Sequence, residues 1–168
     1  MDIRDKFPPE YKCDDGHFVR SKAEMLIDNW LYKKGIIHAY EIDVDLPENP
    51  DEDMLCDWYL PMYDTYVEYF GRMDDKQYLN RARDKVQLYQ DNDLSLWCID
   101  DKDLERLNKT MTKDIAWIKK ERSETSEPFF YRSDELDDLL STRFCVKCKT
   151  NISRLPSNYR YCEDCFND

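Results

Sequence analysis

The chain is predicted to be an α/β sandwich with a mixed sheet, built in the order helix, three strands, helix, strand, helix. Three observations carry this. Apolar residues recur at helical spacing in three segments, and these alternate with short apolar runs bounded by turn residues. A hydrophobic content of 41%, with 14% aromatics, is enough to bury a core. The length of 168 residues suits one compact domain with a small appendage.

The first 15 residues are polar, contain Pro8-Pro9 and read as an irregular arm. Ser21 caps a helix, with Glu24 completing a capping box; the helix runs to about Lys34, where Gly35 stops it. Its apolar residues Ala23, Met25-Leu26-Ile27 and Trp30-Leu31 make a wide buried face. Ile36 to Val44 follows as a strand, and an acidic loop with prolines leads to a second strand near Met54–Leu60. Asp64-Thr65 turns the chain into a third strand, Tyr66–Phe70, which Gly71 ends.

From about Asp75 to Gln90 the spacing of Tyr78, Ala82, Val86 and Tyr89 is helical. Leu94–Ile99 is a short apolar strand, and Asp100-Asp101 starts a helix to about Lys120 with Leu104, Leu107, Met111, Ile115 and Ile118 on one face. Residues 121–142 are charged and serine-containing, and are expected to be a linker with one short helix near Asp134–Leu140.

Composition excludes several classes. Three glycines leave no glycine-rich phosphate loop and no dinucleotide fingerprint. No stretch approaches the ~18 apolar residues of a membrane span, and the first residues carry no apolar signal region. The expected location is the cytosol, where thiols stay reduced. The net charge of −12 disfavours tight, non-specific binding to a duplex by the isolated chain. The charge is uneven, however. Residues 143–168 hold five Lys and Arg against three acids, so 1–142 carry −14.

The chemistry gathers in residues 57–85. Asp57 lies in the second strand, Glu68 in the middle of the third, and Lys85 on the helix that follows. A hairpin can bring both acids to one face, where they repel each other unless a cation sits between them. Carboxylate oxygens suit a hard cation such as Mg²⁺ or Mn²⁺, which polarises a phosphate and lowers the pKa of an attacking water. An ammonium beside them stabilises charge developing in the transition state. Glu24 either caps its own helix or reaches the metal. Taken singly, each residue has a plain structural role; only their joint order points to a site.

The series Arg20-Ser21-Lys22-Ala23-Glu24, Gly35-Ile36, Tyr40-Glu41, Asp57-Trp58-Tyr59-Leu60-Pro61, Glu68-Tyr69-Phe70-Gly71, Tyr78, Lys85 and Tyr89 resembles the PD-(D/E)xK nuclease superfamily. It looks closest to the branch often fused to superfamily I DNA helicases, over about residues 19–99. The resemblance implies a restriction-endonuclease-like αβββαβ core in a domain spanning 1–120. It implies that Asp57 and Glu68 are ligands of catalytic Mg²⁺ or Mn²⁺, with Glu24 orienting a ligand water or a second metal. Lys85 would be the catalytic lysine, moved from its usual strand position onto the helix. Two positions depart from the pattern: Cys56 stands where a proline usually precedes the first acid, and Phe70 stands where the common motif has its lysine. Lys22 is the fallback lysine. The implied activity is a DNA endonuclease, acting alone or beside a helicase or other protein partner. The alternative is a non-catalytic adaptor on the same scaffold that binds nucleic acid or protein.

Of seven cysteines, Cys145 and Cys148 form one CxxC pair and Cys162 and Cys165 another. Two such pairs close a tetrahedral four-sulfur zinc site, and the metal would supply folding free energy that 26 residues cannot find in a core. A disulfide pairing would need oxidising surroundings, and an iron–sulfur cluster on the same thiolates is the other option. Residues 143–168 are therefore expected to form a zinc-ribbon-like module contacting DNA or a partner. Cys13, Cys56 and Cys98 are expected to be ordinary small apolar residues. His17 and His38, the only histidines, are far apart in sequence and offer no Ser/His/Asp chemistry.

Overall fold

A computed structural model describes residues 3–141, 147–148 and 163–167. Among the described residues the strands are β1 (Tyr11–Lys12), β2 (Phe18–Val19), β3 (Ala39–Tyr40), β4 (Trp58–Leu60), β5 (Thr65–Phe70), β6 (Leu96–Asp100) and β7 (Phe130–Tyr131). The helices are α1 (Lys22–Lys33), α2 (Lys76–Asp91), α3 (Asp101–Glu105), α4 (Leu107–Glu124), α5 (Asp134–Ser141) and the short α6 (Glu163–Phe166). Strands β3 to β7 form one sheet in chain order, antiparallel from β3 to β5 and parallel from β5 to β7. The mixed α/β class is thus as expected.

Two apolar layers flank the sheet. On one face Trp58, Leu60, Val67, Trp97 and Ile99 pack against Ile27, Trp30 and Leu31 of α1 and Met111, Ile115 and Ile118 of α4. On the other, Phe70, Leu96 and Cys98 meet Ala82, Val86 and Tyr89 of α2 and Leu136 and Leu140 of α5. Alternation along β5 places Glu68 on the second face. Buried acids on the helices are matched by donors from the sheet: Trp97 Nε1 and Tyr131 Oη both donate to Asp114 of α4, at 3.2 and 2.8 Å.

The sequence expectations shift in four places. The polar arm contains a 3-10 turn (Ile3–Lys6) and β1, which pairs with β2 as a small hairpin. The strands expected over Ile36–Val44 and Met54–Leu60 are regular only at Ala39–Tyr40 and Trp58–Leu60: Glu41, with a left-handed backbone (φ 49°), interrupts the ladder, which resumes at the single Asp43↔Leu55 bridge. The helix expected from Asp101 to Lys120 divides at Arg106 and then runs on to Glu124. The stretch 121–142 is no detached linker. It completes α4, adds β7 to the sheet beside β6, and its expected helix α5 buries Leu136 and Leu140. Arg122 holds this turn of the chain: it donates to the Tyr63, Asp64 and Glu127 carbonyls and stacks on Phe129.

Among the described residues, no helix is long and apolar enough to cross a membrane.

Candidate functional site

Helix α1 starts where the sequence signals it. Ser21 Oγ accepts from the Glu24 N–H at 3.1 Å, while Glu24 Oε2 reaches back to the N–H of Arg20, at 2.9 Å, one residue earlier than an ordinary capping box. Tyr40 Oη lies 3.5 Å from the same oxygen and accepts from the Arg20 N–H at 3.2 Å. Arg20 itself closes a two-pronged pair with Glu41, at 2.6 and 3.1 Å. Glu24 therefore caps its helix and faces inward as well; the two readings of the sequence are compatible.

Asp57 stands just before β4, one residue ahead of the Trp58↔Val67 pair that ends the β4–β5 ladder, and Glu68 follows Val67 on β5. Both acids line the same cleft, together with Lys85 of α2. Asp57 Oδ2 accepts the N–H of Tyr69 at 2.8 Å. Glu68 is only 1% exposed. Helix α2, capped by Asp75, carries Tyr78, Ala82, Lys85 and Tyr89 on one stripe. Lys85 Nζ stands 2.8 Å from each Glu68 oxygen, and Tyr89 Oη donates to Oε1 at 2.6 Å. Gly71 is needed where β5 ends: a Cβ there would run into the Tyr69 ring.

All four predicted residues, Glu24, Asp57, Glu68 and Lys85, line one cleft of about 640 Å³. Lys22 is exposed and does not line it. The lining holds five cations (Arg4, Arg20, Arg72, Arg81, Lys85) and five acids (Glu24, Glu41, Asp53, Asp57, Glu68), so it carries no net formal charge on a chain of −12. The overall acidity does not extend into the cleft.

Burial, with the Asp57 charge second, pushes the Glu24 carboxyl up to about 7. Burial likewise raises Glu68 to about 8, against the opposing pull of Lys85. Burial tends to strip Lys85 of its proton, but the charges of Glu68 and Asp57 outweigh this and its pKa is raised. The cleft thus concentrates carboxyl groups that only a strong positive charge would fully ionise.

The donor set suits a hard divalent cation, with Asp57 and Glu68 supplying oxygens. Glu24, Asp57 and Glu68 are not all within 4.8 Å of one another, so as they stand the three do not close on one ion. A two-carboxylate site completed by water fits Mg²⁺, which keeps several waters. Glu24, on the same cleft, could hold one of those waters.

Of the four C-terminal cysteines, Cys145 and Cys162 lie outside the described residues; Cys148 is exposed and Cys165 half-buried. A second group of ligand-type side chains was not anticipated from sequence. Cys13, Asp15, His17 and Asp28 bring their ligand atoms together beside α1, and the rings of His17 and His38 stand 6.0 Å apart. The spacing Cys13-Asp14-Asp15-Gly16-His17 is the local signal that could have drawn attention to it. A scan against protein-family models, a search of the curated proteins and a search of the solved structures each return no match.

Proposed function

We propose that the chain is a Mg²⁺- or Mn²⁺-dependent DNA endonuclease on a restriction-endonuclease-like core. The observation that carries this reading is that Asp57, Glu68, Lys85 and Glu24 line one cleft, with the Lys85 ammonium on Glu68. The motif series running through these positions supports it too.

A divalent cation bound at Asp57 and Glu68 would polarise the phosphate and acidify water. Asp57 is held by the Tyr69 amide and Glu68 by Tyr89, while Lys85, on both Glu68 oxygens, would have to give way for a cation to bind there. Lys85 lies where its ammonium can turn from Glu68 toward a phosphate oxygen or the attacking water. Hydrolysis adds one water across the P–O bond, leaving a phosphate and a hydroxyl terminus. Arg72 and Arg81, exposed at the cleft lining, suit contacts to flanking phosphates.

The test is cleavage of plasmid, single-stranded and branched DNA with Mg²⁺ or Mn²⁺, by the wild type and by Asp57→Ala and Glu68→Ala. Loss of cleavage in both variants supports the reading; cleavage that survives Asp57→Ala defeats it. The adaptor reading is favoured by one observation: Lys85 is fully engaged by Glu68. It predicts DNA or protein binding with no divalent-ion uptake at Asp57 and Glu68. The four-cysteine tail as a zinc module, and a helicase as partner, remain part of the proposal.

A further inference from the structure

We propose that Cys13, His17, Asp28 and His38 form a closed transition-metal site, of zinc chemistry, that fastens the β1–β2 hairpin to α1. The site is separate from the cleft acids and does not depend on the nuclease reading.

The donors converge from three places in the chain. Cys13 and His17 flank the turn between β1 and β2, closed by the Cys13 N–H to the His17 carbonyl (2.8 Å) and by Gly16 at φ 96°. Asp28 comes from the middle of α1, and His38 from the connection into β3. Among the described residues, Cys13, Asp15, His17 and Asp28 are the one set of three or more Cys, His, Asp or Glu whose ligand atoms all lie within 4.8 Å. His38 lies outside that set but beside it, its Nε2 3.3 Å from Asp28 Oδ2 and 3.5 Å from Asp15 Oδ2. Donor atoms on a tetrahedral zinc at ~2.0–2.3 Å stand roughly 3.3–3.7 Å apart, so closing on one ion would draw the four donors together.

The second observation is buried polar atoms without a well-directed hydrogen bond: His17 Nε2, His38 Nε2 and Asp28 Oδ1. His17 Nε2 and His38 Nε2 approach Asp28 Oδ2 to 2.8 and 3.3 Å, but not in a direction that makes a hydrogen bond. Asp28 is 0% exposed and the His38 side chain 5%.

The surrounding bonds fix which nitrogen is available. His38 Nδ1 lies 2.8 Å from the Ile36 carbonyl, which can only accept, so Nδ1 carries a hydrogen, and in the neutral ring Nε2 offers its lone pair toward Asp28. His17 Nδ1 is 2.5 Å from Asp15 Oδ1, an arrangement that does the same for the second ring. A carbonyl or carboxylate behind each imidazole is the usual support of a ligating histidine. Trp58 Nε1 donates to Asp28 Oδ2 at 2.9 Å, the oxygen both imidazoles face, and Oδ1 makes no hydrogen bond. Burial and then the Asp28 charge push the Cys13 thiol up to about 12, a situation a bound cation reverses.

One sulfur, two imidazoles and one carboxylate match zinc rather than Mg²⁺ or Ca²⁺. Four protein donors leave no open position, so the role is structural. The site also supports the cleft: the Tyr40 ring packs on His17 and on Trp58, and its hydroxyl meets Arg20 and Glu24.

The test is zinc content of the full-length chain purified without chelator, for the wild type, His17→Ala and His38→Ala, with circular dichroism as the check on folding. Each variant is expected to lose about one equivalent per chain; unchanged zinc in both overturns the proposal. Because a ligand variant can also unfold, zinc-edge X-ray absorption on the wild type gives an independent reading. Nitrogen and oxygen scatterers beside sulfur are expected, whereas a shell of sulfur alone, or no zinc, overturns it.

Discussion

The ammonium of Lys85 stands 2.8 Å from both oxygens of Glu68, and Tyr89 holds one of those oxygens from the other side. Glu68 is thereby a buried acid with a built cradle. Lys85→Met would leave the carboxyl without its cation. Removing one partner of a buried pair costs about 3–5 kcal/mol; since Glu68 keeps its proton up to about 8, the urea midpoint should fall most above pH 8 and less at neutral and acid pH. Cleavage should fall by at least ~100-fold.

Tyr89→Phe keeps the ring in the core and removes only the hydrogen bond. The expected loss of stability is about 1–2 kcal/mol, with reduced Mn²⁺ affinity and a smaller effect on cleavage than Lys85→Met. Denaturant unfolding and a metal titration read the two effects.

Asp57→Asn and Asp57→Ala should separate fold from site. Asparagine retains an oxygen for the Tyr69 amide, so its stability should stay within about 0.5 kcal/mol of wild type, whereas alanine leaves that amide without its partner and costs about 1–2 kcal/mol. Both remove the charge that a divalent ion needs. Calorimetry with Mn²⁺ should show binding lost in both variants despite their different stabilities.

Glu24 at about 7 and Glu68 at about 8 hold their protons more tightly folded than unfolded, where the carboxyl value is 4.5. The folded state binds more protons across that window, so without divalent ions stability should fall as pH rises from about 4.5 to 8. A cation in the cleft displaces those protons. Added Mn²⁺ should flatten the decline, bind more tightly as pH rises and release protons, measurable by unfolding in parallel with calorimetry in two buffers.

A chain ending at Lys120 lacks β7, α5 and Arg122 and should show no cooperative unfolding, while one ending at Thr142 should retain it. Leu136 and Leu140 are buried on α2, and the Leu96 amide bonds the Phe129 carbonyl. Circular dichroism during a denaturant titration distinguishes the two.

That truncation marks where the sequence stops being legible. Helices α1 and α2 announce themselves through Ser21 and Asp75 caps and a 3.6-residue stripe, and β5 through its apolar alternation. Strand β7 has two residues, set between Pro128-Phe129 and Arg132; its extended form comes from pairing with β6, not from local preference. Glu41, paired with Arg20 and left-handed in its backbone, interrupts the ladder between β3 and the Asp43↔Leu55 bridge. Glu24, Asp57, Glu68 and Lys85 could be picked out together because a motif orders them. The grouping of Cys13, His17, Asp28 and His38 could not, since it exists only once the hairpin folds onto α1.

Strands β3 to β7 lie in the sheet in the order in which they are made. A nascent polypeptide leaving the ribosome would therefore find each new strand's neighbour already in place, and no earlier pairing has to open to admit a later one. Growth in one direction keeps loop-closure entropy small at each step and exposes one unfinished edge at a time. The last two residues to join, Phe130 and Tyr131, close that edge.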